Sequence, residues 1–297
     1  MKLDSPCTLY LQRLASSGRK SVASQLNQVK NLMHWKGSIE TQPFHLLGYA
    51  QIESLKQLML EQGKSPRTVN LALNGIKGVV KTGFLMGLTP ENTWLRVQAV
   101  KSIKTTASNK GFALTSQEVQ TLLADAAKDK RPIGRRDCAI LATFLATGFR
   151  RFELSGLTID NLDLTNNSLS ISNGKGNKPR CQYLPDWAMP YLQGWLALRG
   201  NHRGYLFNPF RTKTPSPAHQ LSTSAIYRAV KSRTEMALSH SAAPHDLRRS
   251  FITQLLRQNI DLSTASKLAG HASLATTQIY DKRGIEVTRL AAQSLKF

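Results

Sequence analysis

Apolar positions recur at helical spacing through the first hundred residues. Leu9, Leu11 and Leu14 form a short stripe, and Val22, Leu26, Val29 and Leu32 or Met33 form a second with the period of an α-helix. Ile52, Leu55 and Leu58 lie on a third segment, which Gly63 stops. Ser65-Pro66 opens a fourth, with serine as the cap and proline in the first turn, where its missing N–H is no loss. Val69, Leu73, Ile76 and Val80 are the apolar face of that helix. The stretch from Lys101 to Gly111 breaks the pattern, with Thr105, Thr106, Ser108 and Asn109 clustered, and reads as a linker.

Thr115-Ser116-Gln117-Glu118 then has the spacing of a capping box, at the head of a helix through Val119, Leu122 and Leu123. Residues 138–147 are almost wholly apolar and predict a buried helix that delivers Arg150 at its end. After Leu157 the period shifts to two. Ser168-Leu169-Ser170-Ile171-Ser172 alternates, as does Arg180-Cys181-Gln182-Tyr183-Leu184, and the Gly-Lys-Gly-Asn turn of Gly174–Asn177 joins them as a hairpin. Helices resume around Trp187, Ser224, Asp246, Thr264 and Leu274. A last stripe, Ile285, Val287, Leu290, Ala291 and Leu295, predicts a short tail helix. The fold class is therefore mainly α, with a small antiparallel sheet in the second part of the chain and an all-helical first part.

Charge adds a partner to this picture. The net charge of +22 over 297 residues is large for a globular chain and implies a polyanion. It is spread out: 14 Lys/Arg stand against 5 Asp/Glu in residues 1–105, and 26 against 13 in the remainder. Both parts are thus expected to touch phosphate. Cys7, Cys138 and Cys181 are odd in number and share no motif spacing, which argues against a disulfide framework or a zinc site. No signal peptide is evident, and the longest apolar run, Cys138–Phe149, is too short to span a bilayer. A cytoplasmic, nucleoid-associated location is expected.

The candidate chemistry lies in four places. They are Thr147-Gly148-Phe149-Arg150-Arg151-Phe152-Glu153-Leu154, the lysine turn at Lys175, Pro244-His245-Asp246-Leu247-Arg248-Arg249-Ser250-Phe251, and Leu268-Ala269-Gly270-His271 followed by Tyr280. Taken in order, these resemble the tyrosine recombinase (phage integrase) family over residues 111–283. The family pattern of Arg, Lys, His-x-x-Arg, His or Trp, then Tyr falls on Arg150, Lys175, His245, Arg248, His271 and Tyr280, and Glu153 matches its supporting acidic residue. Arg249 departs from the pattern, standing where relatives often carry a second histidine.

The resemblance implies a simple two-domain enzyme. A SAM-like core-binding DNA domain covers 1–105, a linker 106–114, a catalytic domain 115–284, and a tail helix for protomer docking 285–297. It implies a site-specific recombinase that cuts and rejoins DNA through a 3′-phosphotyrosine. Expected partners are double-stranded recombination sites, a homotetramer on paired sites passing through a Holliday junction, and an accessory DNA-bending factor. No cofactor, metal or membrane is expected.

Each residue suits its implied role. The arginine fork can bond two phosphate oxygens at once and stays protonated, which makes Arg150 and Arg248 the clamps. His245 and Arg248, three apart at a helix start, share one face, where the helix dipole also favours an anion. His271, read as opening another helix, donates to a non-bridging oxygen, and Tyr280 is the nucleophile, activated by its cationic neighbours. Lys175 is the general acid for the leaving 5′ oxygen, with Lys178 as its rival, and Arg151 is assigned to solvent or the DNA backbone. No carboxylate pair for magnesium and no Walker-type loop is present in the sequence. The alternatives are a non-catalytic DNA-binding regulator, which the charge alone would explain, and a tyrosine-type topoisomerase.

Overall fold

The computed structural model describes residues 4–104, 111–171, 180–211, 214–271, 273–281 and 293. The chain divides into two compact units, Met1–Ser108 and Asn109–Phe297.

Unit 1 contains α1 (Pro6–Gln12), α2 (Ser16–Leu32), α3 (Tyr49–Glu61), α4 (Pro66–Leu85) and α5 (Glu91–Gln98). The longest helix, α4, is its centre. Ser65 Oγ accepts from the Thr68 N–H at 3.2 Å, which caps the start, and Val69, Leu73, Ile76 and Val80 are all buried. They pack with Leu26 and Val29 of α2 and with Ile52 and Leu55 of α3. The third residue expected on α3 differs. Leu58 is 38% exposed and Met59 is 1% exposed, so the buried face steps by four and not by three. The helix α5 has no strong sequence signal. It is held by Trp94, which stacks on Phe84 with ring centroids 4.8 Å apart. Asn70 then clasps the following segment, donating to Ile103 O at 2.9 Å and accepting from Ile103 N at 2.8 Å.

Unit 2 is built around α7 (Pro132–Thr147), whose residues 136–147 are all buried. A helix surrounded on every side has no polar face, which is why residues 138–147 are almost wholly apolar, while buried Arg136 and Asp137 pair with each other. Around it lie α6 (Ser116–Lys128), α8 (Arg151–Gly156), α9 (Met189–Arg199), α10 (Thr223–Ala237) and α11 (Pro244–Arg257). The capping box forms: Glu118 N donates to Thr115 Oγ1 at 3.2 Å and Thr115 N to Glu118 Oε2 at 2.7 Å. The antiparallel sheet β1-β2-β3 consists of Leu162–Asp163, Ser168–Ile171 and Arg180–Tyr183, with Ile171 opposite Arg180. A small hairpin, β4 (Phe210–Arg211) with β5 (Thr214–Pro215), precedes α10, and α12 (Leu262–Ala269) and α13 (Leu274–Gln278) follow α11.

All three cysteines are free. Burial pushes the Cys7 thiol up to about 12 and the Cys138 thiol up to about 11, while Cys181 is exposed. Lys175, Lys178 and their turn lie outside the described residues, as does the expected tail helix 285–297 apart from Gln293.

Candidate active site

The first arginine is delivered by a turn that only glycine enters easily. Gly148 ends α7 at φ 60°, and an added Cβ would sit 2.3 Å from the Phe251 ring. The chain then turns through buried Phe149 to Arg150, the residue before α8. Glu153, whose side chain is wholly buried, fixes Arg150 twice. Its Oε2 accepts from the Arg150 backbone N–H at 2.6 Å, and its Oε1 from Nη1 at 2.9 Å. Arg150 Nη2 reaches across the fold to donate to Gly270 O at 2.8 Å.

Arg248 sits one turn inside α11 and is 3% exposed. Its Nη1 donates to Gly148 O and its Nη2 to Ala269 O, the latter at 2.6 Å. Burial first, then the charge of Arg150, lowers its pKa to about 10, so it remains a cation at neutral pH. The guanidinium groups of Arg150 and Arg248 are thus aimed by three main-chain carbonyls from two segments that lie far apart in sequence, at Gly148 and at Ala269-Gly270.

Arg150, Arg248 and His245 line one cleft of about 360 Å³, floored by Phe149. Arg151 and Tyr227 line it too, with the Arg151 guanidinium 5.6 Å from the Tyr227 ring centre. Arg151 is exposed, as expected, yet it borders the same space as Arg150 and Arg248. His245 lies in the first turn of α11 and is exposed. Partial desolvation and then the charges of Arg249 and Arg248 hold its pKa below the ordinary histidine value.

His271 is where the sequence reading needs correction. It does not begin a helix. Gly270 takes the left-handed conformation at φ 62° and ends α12, and His271 N donates back to Ser266 O at 3.0 Å. That closure leaves the imidazole just beyond the helix, where Nδ1 meets Thr277 Oγ1 at 2.7 Å. Desolvation and then the charges of Arg248, Arg150 and Arg180 push its pKa down to about 4, so the ring is neutral at physiological pH. In the tautomer where the Thr277 hydroxyl donates to Nδ1, the proton sits on Nε2 and can be donated.

Tyr280 is buried against Ile252, Leu256, Ala265 and Ala269. Its ring stacks on that of His271, and the Arg249 guanidinium lies 5.0 Å from its centre. Tyr280 is not among the residues lining the cleft of the two arginines. The structure therefore gathers Arg150, His245 and Arg248 at one cleft, with Glu153 bonded to Arg150 and with His271 and Tyr280 on the adjoining corner. It also adds contacts that spacing did not reveal. Arg180 donates to Glu153 Oε2 at 2.7 Å, and Arg249, singled out only as a departure from the pattern, covers the tyrosine. Neither contact is visible in the local sequence, because each is made across the fold. Among the described residues there is no group of three or more His, Cys, Asp or Glu that could hold a metal ion. No helix among them is long and apolar enough to cross a membrane.

The sequence model of the phage integrase family matches residues 113–284, more than half of the chain and every residue of this site. The chain belongs to that family, the tyrosine recombinases. Tyrosine recombinase XerC of Alcanivorax borkumensis is 30% identical over 277 residues, covering 91% of this chain and 87% of the relative. Tyrosine recombinase XerA of Pyrococcus furiosus is 33% identical over 235 residues, covering 79% and 74%. A lambda integrase dimer bound to a COC′ core site shares the fold with a TM-score of 0.70 at 16% identity, over 94% of this chain and 93% of that one. The chain is thus an enzyme of DNA recombination, with a mostly helical fold and small antiparallel sheets.

Proposed function

We propose that the recombinase cuts each strand by attack of Tyr280 on a phosphate held in the Arg150–Arg248 cleft. The observation that carries this reading is the pair of guanidinium groups fixed by Gly148 O, Ala269 O and Gly270 O beside His245. Donors fixed in advance stabilise the charge that develops on the non-bridging oxygens without reorganising at the moment of reaction. His245 takes the phenol proton as the Tyr280 oxygen bonds to phosphorus. His271 donates to a non-bridging oxygen from Nε2. The P–O5′ bond breaks as Lys175 gives its proton to the 5′ oxygen, leaving a 3′-phosphotyrosine and a free 5′ hydroxyl. Attack by a 5′ hydroxyl reverses these steps and rejoins the strand, so the bond energy is conserved in the phosphotyrosine and no nucleotide is consumed.

The partners in this reading are double-stranded recombination sites. Four protomers act on a pair of sites through a Holliday junction, with the apolar stripe of 285–297 docking between protomers and an accessory factor bending the DNA. The test is a duplex nicked near the cleavage point, so that a short strand diffuses away and traps the adduct. Wild type should give a covalent band on a denaturing gel, and a plasmid with two sites should yield exchange products. Relaxation of that plasmid without exchange would replace the recombinase reading with a topoisomerase.

A further inference from the structure

We propose that Arg180 is a positioning residue for strand cleavage, keeping the Glu153–Arg150 pair and the Gly270–His271 corner in one arrangement through a single guanidinium. The inference rests on the reading that Arg150 and His271 act on the phosphate.

Glu153 is the hub of the first arginine. Three N–H groups converge on its carboxylate: the Arg150 backbone and Nη1, and Arg180 Nη2. Its side chain is wholly removed from water, where carboxylate oxygens left without hydrogen-bond partners are costly. If Arg180 were lost, the carboxylate would keep only partners from its own corner, and nothing from β3 would hold it. Charge-assisted bonds of this kind are about twice as strong as neutral ones.

The same guanidinium also shapes the second corner. An added Cβ on Gly270 would lie 1.9 Å from Arg180 Nη1, so the two are in van der Waals contact. Gly270 supplies the carbonyl that receives Arg150 Nη2, and its next residue is His271. Arg180 therefore packs against Gly270, whose carbonyl accepts from Arg150, while it binds Glu153, the carboxylate partner of Arg150. Below it the Phe149 ring lies 5.4 Å from its guanidinium carbon, which fixes the plane of the fork.

Arg180 carries signs that this arrangement is imposed. Its Nε is buried and has no hydrogen-bond partner among the described residues, a cost the fold accepts to point Nη2 at Glu153. It also begins β3 and pairs with Ile171. One side chain thus connects β3 with Arg150 and with the histidine corner. A lysine there would keep the charge but not the planar fork that touches both.

The test is single-turnover cleavage of the nicked duplex at saturating DNA. Arg180→Ala should bind DNA as wild type does and cleave about 10²-fold more slowly, the scale expected for a misplaced reacting group. Arg180→Lys should also be slow, and guanidinium ion in solution should restore part of the rate to Arg180→Ala. Adding Arg180→Ala to Arg150→Ala should slow cleavage by much less than Arg180→Ala slows the wild type, because part of its effect passes through Arg150. Wild-type cleavage by Arg180→Ala would overturn the proposal, as would multiplying losses in the double variant. If Arg180→Ala does not fold, Arg180→Lys, with its melting temperature matched to wild type, carries the same comparisons. A wild-type enzyme without adduct, or an adduct in Tyr280→Phe, would instead overturn the reaction itself and is read in the same gel.

Discussion

The rings of Tyr280 and His271 lie stacked, with centroids 6.0 Å apart and planes 20° from parallel. Arg249 and the apolar side chains of Ile252 and Leu256 hold the same tyrosine ring. The ring is therefore kept in place by its faces and edges, and its hydroxyl is left for chemistry. Tyr280→Phe should fold and bind DNA like wild type and form no covalent adduct with a labelled nicked site. An adduct persisting on a denaturing gel would move the nucleophile to another residue.

Acid should weaken the fold through His271. Its folded pKa of about 4 lies below the ordinary value of 6.5, so the native state holds the neutral ring. Above pH 6.5 both folded and unfolded forms are neutral and the stabilisation is complete. As pH falls from 6.5 towards 4 the unfolded chain takes up the proton first, and stability drops. The slope is at most ~1.4 kcal/mol per pH unit for a fully shielded group and smaller for this partly exposed ring. Melting curves at pH 7 and pH 5 should differ more for wild type than for His271→Gln. An equal acid shift in the two would remove His271 as its source.

Gly270→Ala should be costly twice over. A side chain at φ 62° is strained by ~1–2 kcal/mol, and the new methyl would meet Arg180 Nη1. Denaturant unfolding should show a loss of at least ~1 kcal/mol from the strain alone, and more from the clash. In an Arg180→Ala background the clash is gone, so the further loss caused by Gly270→Ala should shrink. Equal losses in both backgrounds would show that the two residues do not press on each other.

DNA affinity should fall steeply with salt. The net charge of +22 implies many neutralised phosphates, each contributing about −0.9 to the slope of log affinity against log salt. Titration of one fixed duplex across salt concentrations measures this slope. A flat line would contradict binding through phosphates.

Lys175 as general acid makes a sharper demand. Lys175→Ala should cleave ~10²–10⁴-fold more slowly, because a basic alkoxide must then leave unprotonated. Replacing the bridging 5′ oxygen by sulfur provides a leaving group that needs no proton, and Lys175→Ala should then approach the wild-type rate. Arg150→Ala and Arg248→Ala should gain nothing from sulfur, since the proposed mechanism has them act on the non-bridging oxygens. Rescue of Lys178→Ala with Lys175→Ala left slow would exchange the two lysines.

Much of the site was legible because its residues sit where the chain must break a pattern. Arg150 follows a solid apolar helix and a Thr-Gly stop, and a charge at such a place needs a special partner. His245 and Arg248 share a helix face by spacing alone. The partners were not legible, because backbone carbonyls carry no residue signature. Nothing in the sequence says that Arg150 bonds Gly270 O, 120 residues away, or that Arg180 shares Glu153 with it. His271 was placed at a helix start because Gly270 can end one helix or precede the next, and only the left-handed turn decides between them. On α3, Leu58 and Met59 both fit an apolar stripe, and packing against α4 and its neighbours selects Met59.

Arg248 takes its aim from the carbonyls of Gly148 and Ala269, which belong to the path of the chain and not to any side chain. Most substitutions elsewhere leave main-chain oxygens where they are. The cleft is therefore insulated from drift on the surfaces that meet the DNA. Those surfaces can change step by step while the aim of the two arginines is inherited intact, so, on the proposed mechanism, a lineage of such enzymes can acquire new addresses without having to rebuild its reaction.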